Sequence, residues 1–171
     1  MANDDTQPAP SKVHPHRHLA YMRPDATMTL REGLEEYYET IDGLITNDNA
    51  PADVAALFHF HDVCHVVFGC DTSMRGEALV DTWSIFGTTV TLKTYQRYLS
   101  FQETQSIFES MTFKEMLEAL GETSTAMPVA FWRAQHMTHK WPFRDHERYM
   151  DTPLDAIRAE YGIEVVEEDE E

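Results

Sequence analysis

Residues 51–69 read PADVAALFHFHDVCHVVFG, and they carry His61-Asp62-Val63-Cys64-His65. Asn49-Ala50-Pro51 is a helix start, with Pro near the first helical position. No Gly or Pro interrupts the run until Gly69, a natural C-terminal stop. The stretch is therefore read as one helix ending at about Phe68. Working outward, Thr29 to Ile45 places Leu30, Leu34, Tyr37, Tyr38, Ile41 and Leu44 near helical spacing. Asp71-Thr72-Ser73 offers caps for a helix from Met74 to Leu99, bent by Gly87 and the Thr88-Thr89-Val90-Thr91 run. Shorter helices are predicted over Glu103 to Ser110 and Phe113 to Leu120, the second closed by Gly121. A longer one is predicted from Ser124 to Lys140, with Pro128 in its first turn. Pro153 to Tyr161 closes the series, ended by Gly162. No segment sustains period-two alternation. The expected fold is all-α: a single domain of about six to seven helices over residues 21–163.

The ends read differently. Residues 1–20 contain Pro8, Pro10 and Pro15 without periodicity and are expected to form a disordered tail. His14, His16 and His18 alternate inside it. Residues 164–171 are expected to be a solvated acidic tail.

The formal net charge is −17 and the sequence pI about 4.7. Nucleic acid is therefore not an expected partner, because phosphate binding needs an excess of Lys and Arg. Only two cysteines occur, Cys64 and Cys70, so a disulfide framework is not expected and a reducing compartment fits. Cys64 is read as a small core residue rather than a ligand. The first residues resemble neither a secretory signal nor an Arg-rich transit peptide, so a cytoplasmic, non-secreted protein is expected. The longest apolar candidate, Ala78 to Leu92, is too short to span a bilayer and contains Asp81.

His61 and His65 are four apart, which on a helix puts them about 40° apart in azimuth and about 6 Å along the axis. Both imidazoles can then reach one ion, as in the paired histidines of HExxH zinc sites. Asp62 borders the same face, as a direct ligand or as a group that orients one. Gly69 ends the first helix and residues 70–75 reverse the chain. Glu77 then falls in the first turn of the next helix, where an antiparallel hairpin brings it to His65. Gly76 lets the backbone close in around the site. The predicted metal set is His61, Asp62, His65 and Glu77. It suits zinc first, with iron or manganese as alternatives. The competing reading is a metal-free pair of histidines hydrogen-bonded to the two carboxylates.

These residues carry a resemblance. H-D-x-x-H, eleven residues and E, with Gly76 before Glu77, is similar to the signature of the ubiquinone (coenzyme Q) biosynthesis protein 4 family. Phe58-His59-Phe60 before it and Val66-Val67-Phe68-Gly69 after it agree. Trp141 and the later Pro153-Leu154…Arg158…Tyr161-Gly162-Ile163 resemble that family's C-terminal W…PLxxxRxExGI pattern. The matches bracket residues 55–163. The resemblance implies an all-α fold and a divalent metal, usually zinc, on His61, Asp62, His65 and Glu77. It further implies oxidative decarboxylation of a prenylated aromatic acid, with the C1 carboxylate replaced by hydroxyl. The partners implied are an isoprenoid lipid, other quinone-biosynthesis proteins and a peripheral membrane contact at the inner face. A homodimer is compatible with this reading. The alternative is a non-catalytic isoprenoid-lipid-binding scaffold for such enzymes. A third reading, an HD-type phosphohydrolase, lacks convincing further His and Asp ligands.

Arg133, His136 and Lys140, with Trp132, Trp141, Phe143, Arg144, Arg148 and Tyr149, form a basic aromatic stretch. It is read as a helix with one buried apolar stripe and a solvated basic face. The competing reading is a membrane-interface or anion site. Trp83, Ile85 and Phe86 are read as core rather than as the lining of a lipid tunnel.

Overall fold

The computed structural model describes residues 19–40, 51–99 and 126–167, with the side chains of 96–99 not described. The described residues form α1 (Leu30–Thr40), α2 (Ala52–Phe68), α3 (Met74–Gly87), α4 (Leu92–Leu99), α5 (126–136) and α6 (Leu154–Tyr161). Short 3-10 turns stand at Ala20–Met22 and Glu147–Tyr149. Among the described residues there are no strands, only isolated bridges at Thr29–Pro153 and Thr88–Trp141. The protein is all-α, as the sequence predicts. The helices predicted at 103–110 and 113–120 lie outside the described residues. So do tail residues 1–18, residues 41–45 of the first predicted helix and residues 168–171.

The centre of the fold is α2. It packs against α1, α3, α4, α6 and the Ala20–Met22 turn. Every residue from His61 to Phe68 is buried. A helix apolar on all sides has no face to give to water, so its neighbours must surround it. Gly69 ends it in the left-handed region, φ 68°, with its N–H on the His65 and Val66 carbonyls. A Cβ at Gly69 would lie 2.7 Å from Val165 Cγ1. The residue is therefore required by conformation and by space.

Arg158 of α6 closes the same end of α2. Its guanidinium donates to the Val66 and Val67 carbonyls at 3.0 Å each, and to Tyr21 O at 2.6 Å and Arg23 O at 2.5 Å. The last carbonyls of a helix lack intrahelical partners and carry its negative pole, so a buried cation there satisfies both needs. One side chain thus ties α6, α2 and the N-terminal turn together.

On α1 the buried set Leu30, Gly33, Leu34 and Tyr37 faces α2. A Cβ at Gly33 would meet Val66 Cγ1 at 2.6 Å, so the two helices cross closely there. A capping box starts α1. Glu32 accepts from Thr29 N at 2.7 Å, and Glu32 N donates to Thr29 Oγ1 at 3.2 Å.

The predicted 74–99 helix is two helices rather than one bent helix. α3 stops at Gly87 and Thr88 is extended. Trp141 N donates to Gly87 O at 2.8 Å and Thr89 N to Trp141 O at 2.9 Å, so a distant segment takes the polar groups that a continuous helix would use. The predicted 124–140 helix likewise ends early, at 136. Thr138 N donates to Tyr161 O at 2.9 Å, which draws the chain toward α6. Trp141 and Phe143 then enter the core, and Trp83 stacks on Phe68 with ring centroids 4.8 Å apart. Past Gly162 the chain stays on the body, where Val165 and Val166 are buried. No described helix is long and apolar enough to cross a membrane.

Candidate metal centre

The α2–α3 turn is built by side chains acting on backbone. Ser73 caps α3 by accepting from Gly76 N at 3.0 Å, and Asp71 Oδ1 holds the Ser73 hydroxyl at 2.6 Å. A Cβ on Gly76 would fall 2.0 Å from Asp71 Oδ1. Gly76 therefore lets the backbone close in, and what it closes on is the Asp71 capping turn. The resulting hairpin runs α3 antiparallel to the end of α2 and sets Glu77 beside His65.

Two His–carboxylate pairs bridge the helices. His65 Nε2 lies 3.4 Å from Glu77 Oε1, and one turn away His61 Nε2 lies 3.5 Å from Asp81 Oδ1. The two imidazoles face each other edge to face, with centroids 4.8 Å apart. Donor atoms of His61, His65 and Glu77 all lie within 4.8 Å of one another, so this group can hold a metal ion. His61 and His65 are buried and Glu77 is half-buried.

His65 is prepared for such a role. Its Nδ1 faces the Cys70 carbonyl at 3.3 Å, and a carbonyl only accepts, so Nδ1 carries the proton. In the neutral ring, Nε2 then carries the lone pair toward Glu77. That nitrogen is buried, and Glu77 Oε1 faces it at 3.4 Å. A backbone carbonyl that fixes the tautomer of a ligand imidazole is a usual support for metal binding. The Tyr37 ring lies over His65 with centroids 5.3 Å apart.

Asp62 stands apart from this group. Its carboxylate accepts from the Tyr37 hydroxyl at 3.2 Å and the Tyr38 hydroxyl at 3.4 Å, both on α1. The position next to His61 turns it about 100° around the helix, toward α1 rather than α3. Asp81 was missed as a site residue. Its signal was its spacing: four residues after Glu77, it repeats on α3 the interval between His61 and His65 on α2. The Tyr95 hydroxyl of α4 also donates to Asp81.

The electrostatics follow burial and neighbours. Burial opposes a charge on His65, but Glu77 outweighs it, with help from Asp62 and Cys70 O, and raises the imidazole above its ordinary value. Burial raises the Glu77 carboxyl, but His65 and then His61 outweigh it and lower it. Asp62 is raised by burial, against the pull of His61, His65 and His59. Burial also pushes the Cys64 thiol up to about 12, so it stays protonated in the core as expected and offers no thiolate to an ion.

The basic aromatic stretch does not form a single surface. Trp141, Phe143 and Tyr149 are buried. Arg133 donates to Val165 O at 2.8 Å, and His136 folds back on Trp132 with centroids 3.9 Å apart. Lys140 lies beyond the end of α5.

Two imidazoles and one carboxylate form a donor set that suits zinc, iron(II) or manganese(II), with coordination positions left for water or substrate. In comparison with known proteins, the chain matches no family model, no curated protein and no solved structure.

Proposed function

We propose that this protein is a divalent-metal-dependent enzyme of the ubiquinone-biosynthesis type. It acts in the oxidative decarboxylation of a prenylated aromatic acid. The observation that carries the metal dependence is the His61–His65–Glu77 group, in which His65 Nε2 faces Glu77 Oε1 while Nδ1 is fixed on a carbonyl. The H-D-x-x-H…E signature and the W…PLxxxRxExGI pattern supply the substrate class.

Zinc is the preferred ion for two nitrogens and one carboxylate, with iron or manganese as alternatives. When bound, such an ion supplies Lewis acidity toward a carboxylate or ring oxygen. His61, His65 and Glu77 would hold it. Asp62, turned toward α1 and held there by the Tyr37 and Tyr38 hydroxyls, would not ligate the ion. Replacing a ring carboxylate by hydroxyl is a two-electron oxidation that releases carbon dioxide. Whatever the ion, an external oxidant such as dioxygen would take the electron pair, going to hydrogen peroxide, and water would supply the hydroxyl oxygen; zinc itself has no redox chemistry. The partners in this reading are an isoprenoid lipid and other quinone-biosynthesis proteins, at the cytoplasmic face of a membrane.

The test is complementation of quinone formation in a cell lacking the native decarboxylation step, with metal analysis of the purified chain. Stoichiometric metal and rescue that fails for His65→Asn and Glu77→Gln are expected. Rescue by both variants, or a metal-free active protein, would sink the reading.

A non-catalytic lipid-presenting scaffold is favoured by a separate observation. Phe86, Met127, Phe131 and Trp132 are large apolar side chains left exposed on α3 and α5, and Phe86 meets Phe131 edge to face at 4.8 Å. That reading expects isoprenoid to co-purify equally with the metal-site variants.

A further inference from the structure

A second group of ligand side chains lies on the other flank of α2. His59 Nε2 and His146 Nε2 face each other at 3.1 Å, and His146 Nε2 is 3.7 Å from Glu147 Oε1. These donor atoms all lie within 4.8 Å of one another. The segment before the Glu147–Tyr149 turn carries His146 to α2 from far along the chain, so no local spacing announces the pair.

The arrangement has the features of a ligand set. At metal–nitrogen distances of about 2.05 Å, two imidazoles on one tetrahedral ion stand about 3.3 Å apart, close to the separation seen. His59 is oriented from behind. Its Nδ1 is 2.7 Å from the Tyr38 hydroxyl, which also reaches Asp62 Oδ2. With the Tyr38 proton on Asp62, His59 Nδ1–H donates to the Tyr38 oxygen and Nε2 carries a lone pair toward His146. His146 is buried, and its Nδ1 makes no hydrogen bond. Its polar contacts all converge on Nε2. Glu147 is exposed and leaves the group open to solvent.

We propose that His59, His146 and Glu147 form a second divalent transition-metal site, of the zinc type and separate from the His61–His65–Glu77 group. Tyr38 bonds both His59 and Asp62, and neither Tyr38 nor Asp62 belongs to either donor group. The proposal does not depend on the reading of the first group or on any activity.

The test uses the full chain with His14, His16 and His18 changed to Asn, because tail histidines would add adventitious equivalents. The metal-free protein is titrated with Zn²⁺ against a chromophoric chelator, and with Co²⁺ by its visible absorption. Two equivalents are expected. His65→Asn with Glu77→Gln removes one and leaves the other. Glu147→Gln weakens the remaining equivalent at least tenfold, and His59→Gln abolishes its Co²⁺ spectrum. Glu147 is 80% exposed, so its substitution does not act through unfolding. The helical circular dichroism of each variant checks that the fold is retained. If the His65→Asn, Glu77→Gln protein stays folded but holds no ion, the second site does not exist. An equivalent indifferent to both Glu147→Gln and His59→Gln overturns it as well. Loss of the first equivalent alone bears on the proposed function and leaves this site standing.

Discussion

Arg158 shows how much a single buried side chain decides in this fold. It is 3% exposed, and burial lowers its pKa to about 10, so it remains charged at neutral pH. Removing it would leave the Tyr21 and Val67 carbonyls without this donor and take a second donor from the Val66 and Arg23 carbonyls. Each unsatisfied buried group costs about 1–3 kcal/mol, partly recovered by water. Arg158→Leu is expected to lower unfolding free energy by about 3 kcal/mol or more, read from urea melts. Gly69 fixes the same end of α2 by a different cause. A Cβ in its left-handed conformation costs about 1–2 kcal/mol before its close approach to Val165 is counted. Gly69→Ala should therefore cost at least that much in the same melts. A loss below about 0.5 kcal/mol would show that the turn relaxes freely.

The hairpin of α2 and α3 sets the order of the site, because its antiparallel register pairs His65 with Glu77 and His61 with Asp81. Only Glu77 joins the three-residue donor group, whereas Asp81 also receives the Tyr95 hydroxyl. Zn²⁺ affinity should therefore fall far more for Glu77→Gln than for Asp81→Asn, by at least tenfold between the two in a competition titration. Equal effects would place Asp81 among the ligands. The same pairing gives the ion-free protein a pH signature. His65 is raised, so its contribution is complete below its ordinary value of 6.5 and is lost as pH rises through the raised value. Glu77 is lowered, so its contribution is complete above its ordinary value of 4.5 and is lost as pH falls through the lowered one. The stability difference between the native chain and Glu77→Gln should therefore be largest between pH 4.5 and 6.5 and shrink on either side. Zn²⁺ affinity should instead keep rising with pH across neutrality, because the ion competes with protons for the imidazoles.

For the whole molecule, a net charge of −17 on 171 residues means that self-repulsion opposes compaction. Raising NaCl from about 0.02 M to 0.3 M shortens the Debye length from roughly 20 Å to under 10 Å and should raise the melting temperature. A flat or falling curve would mean that local ion pairs dominate. The helical class, the stop of α2 at Gly69 and the approach of Glu77 to His65 were all legible in the sequence. Each depends on local signals: unbroken helical runs, a terminal Gly and a short turn whose length fixes which residues meet. Other features were not legible. The division of the 74–99 stretch depends on Trp141 taking the Gly87 carbonyl, and the fate of the basic aromatic stretch depends on Trp141 and Phe143 entering the core. Asp62 has ligand chemistry in the sequence, yet two tyrosines of α1 receive it in the structure. His59 meets His146 only across 87 residues of chain. The sequence by itself determined the helical class, the end of α2 at Gly69 and the meeting of His65 with Glu77 across one hairpin, because backbone propensity and turn length act between neighbours. Only the tertiary structure decided which polar groups Asp62, Asp81, His146 and Arg158 meet, because those partners lie on elements that packing, not chain proximity, brings together.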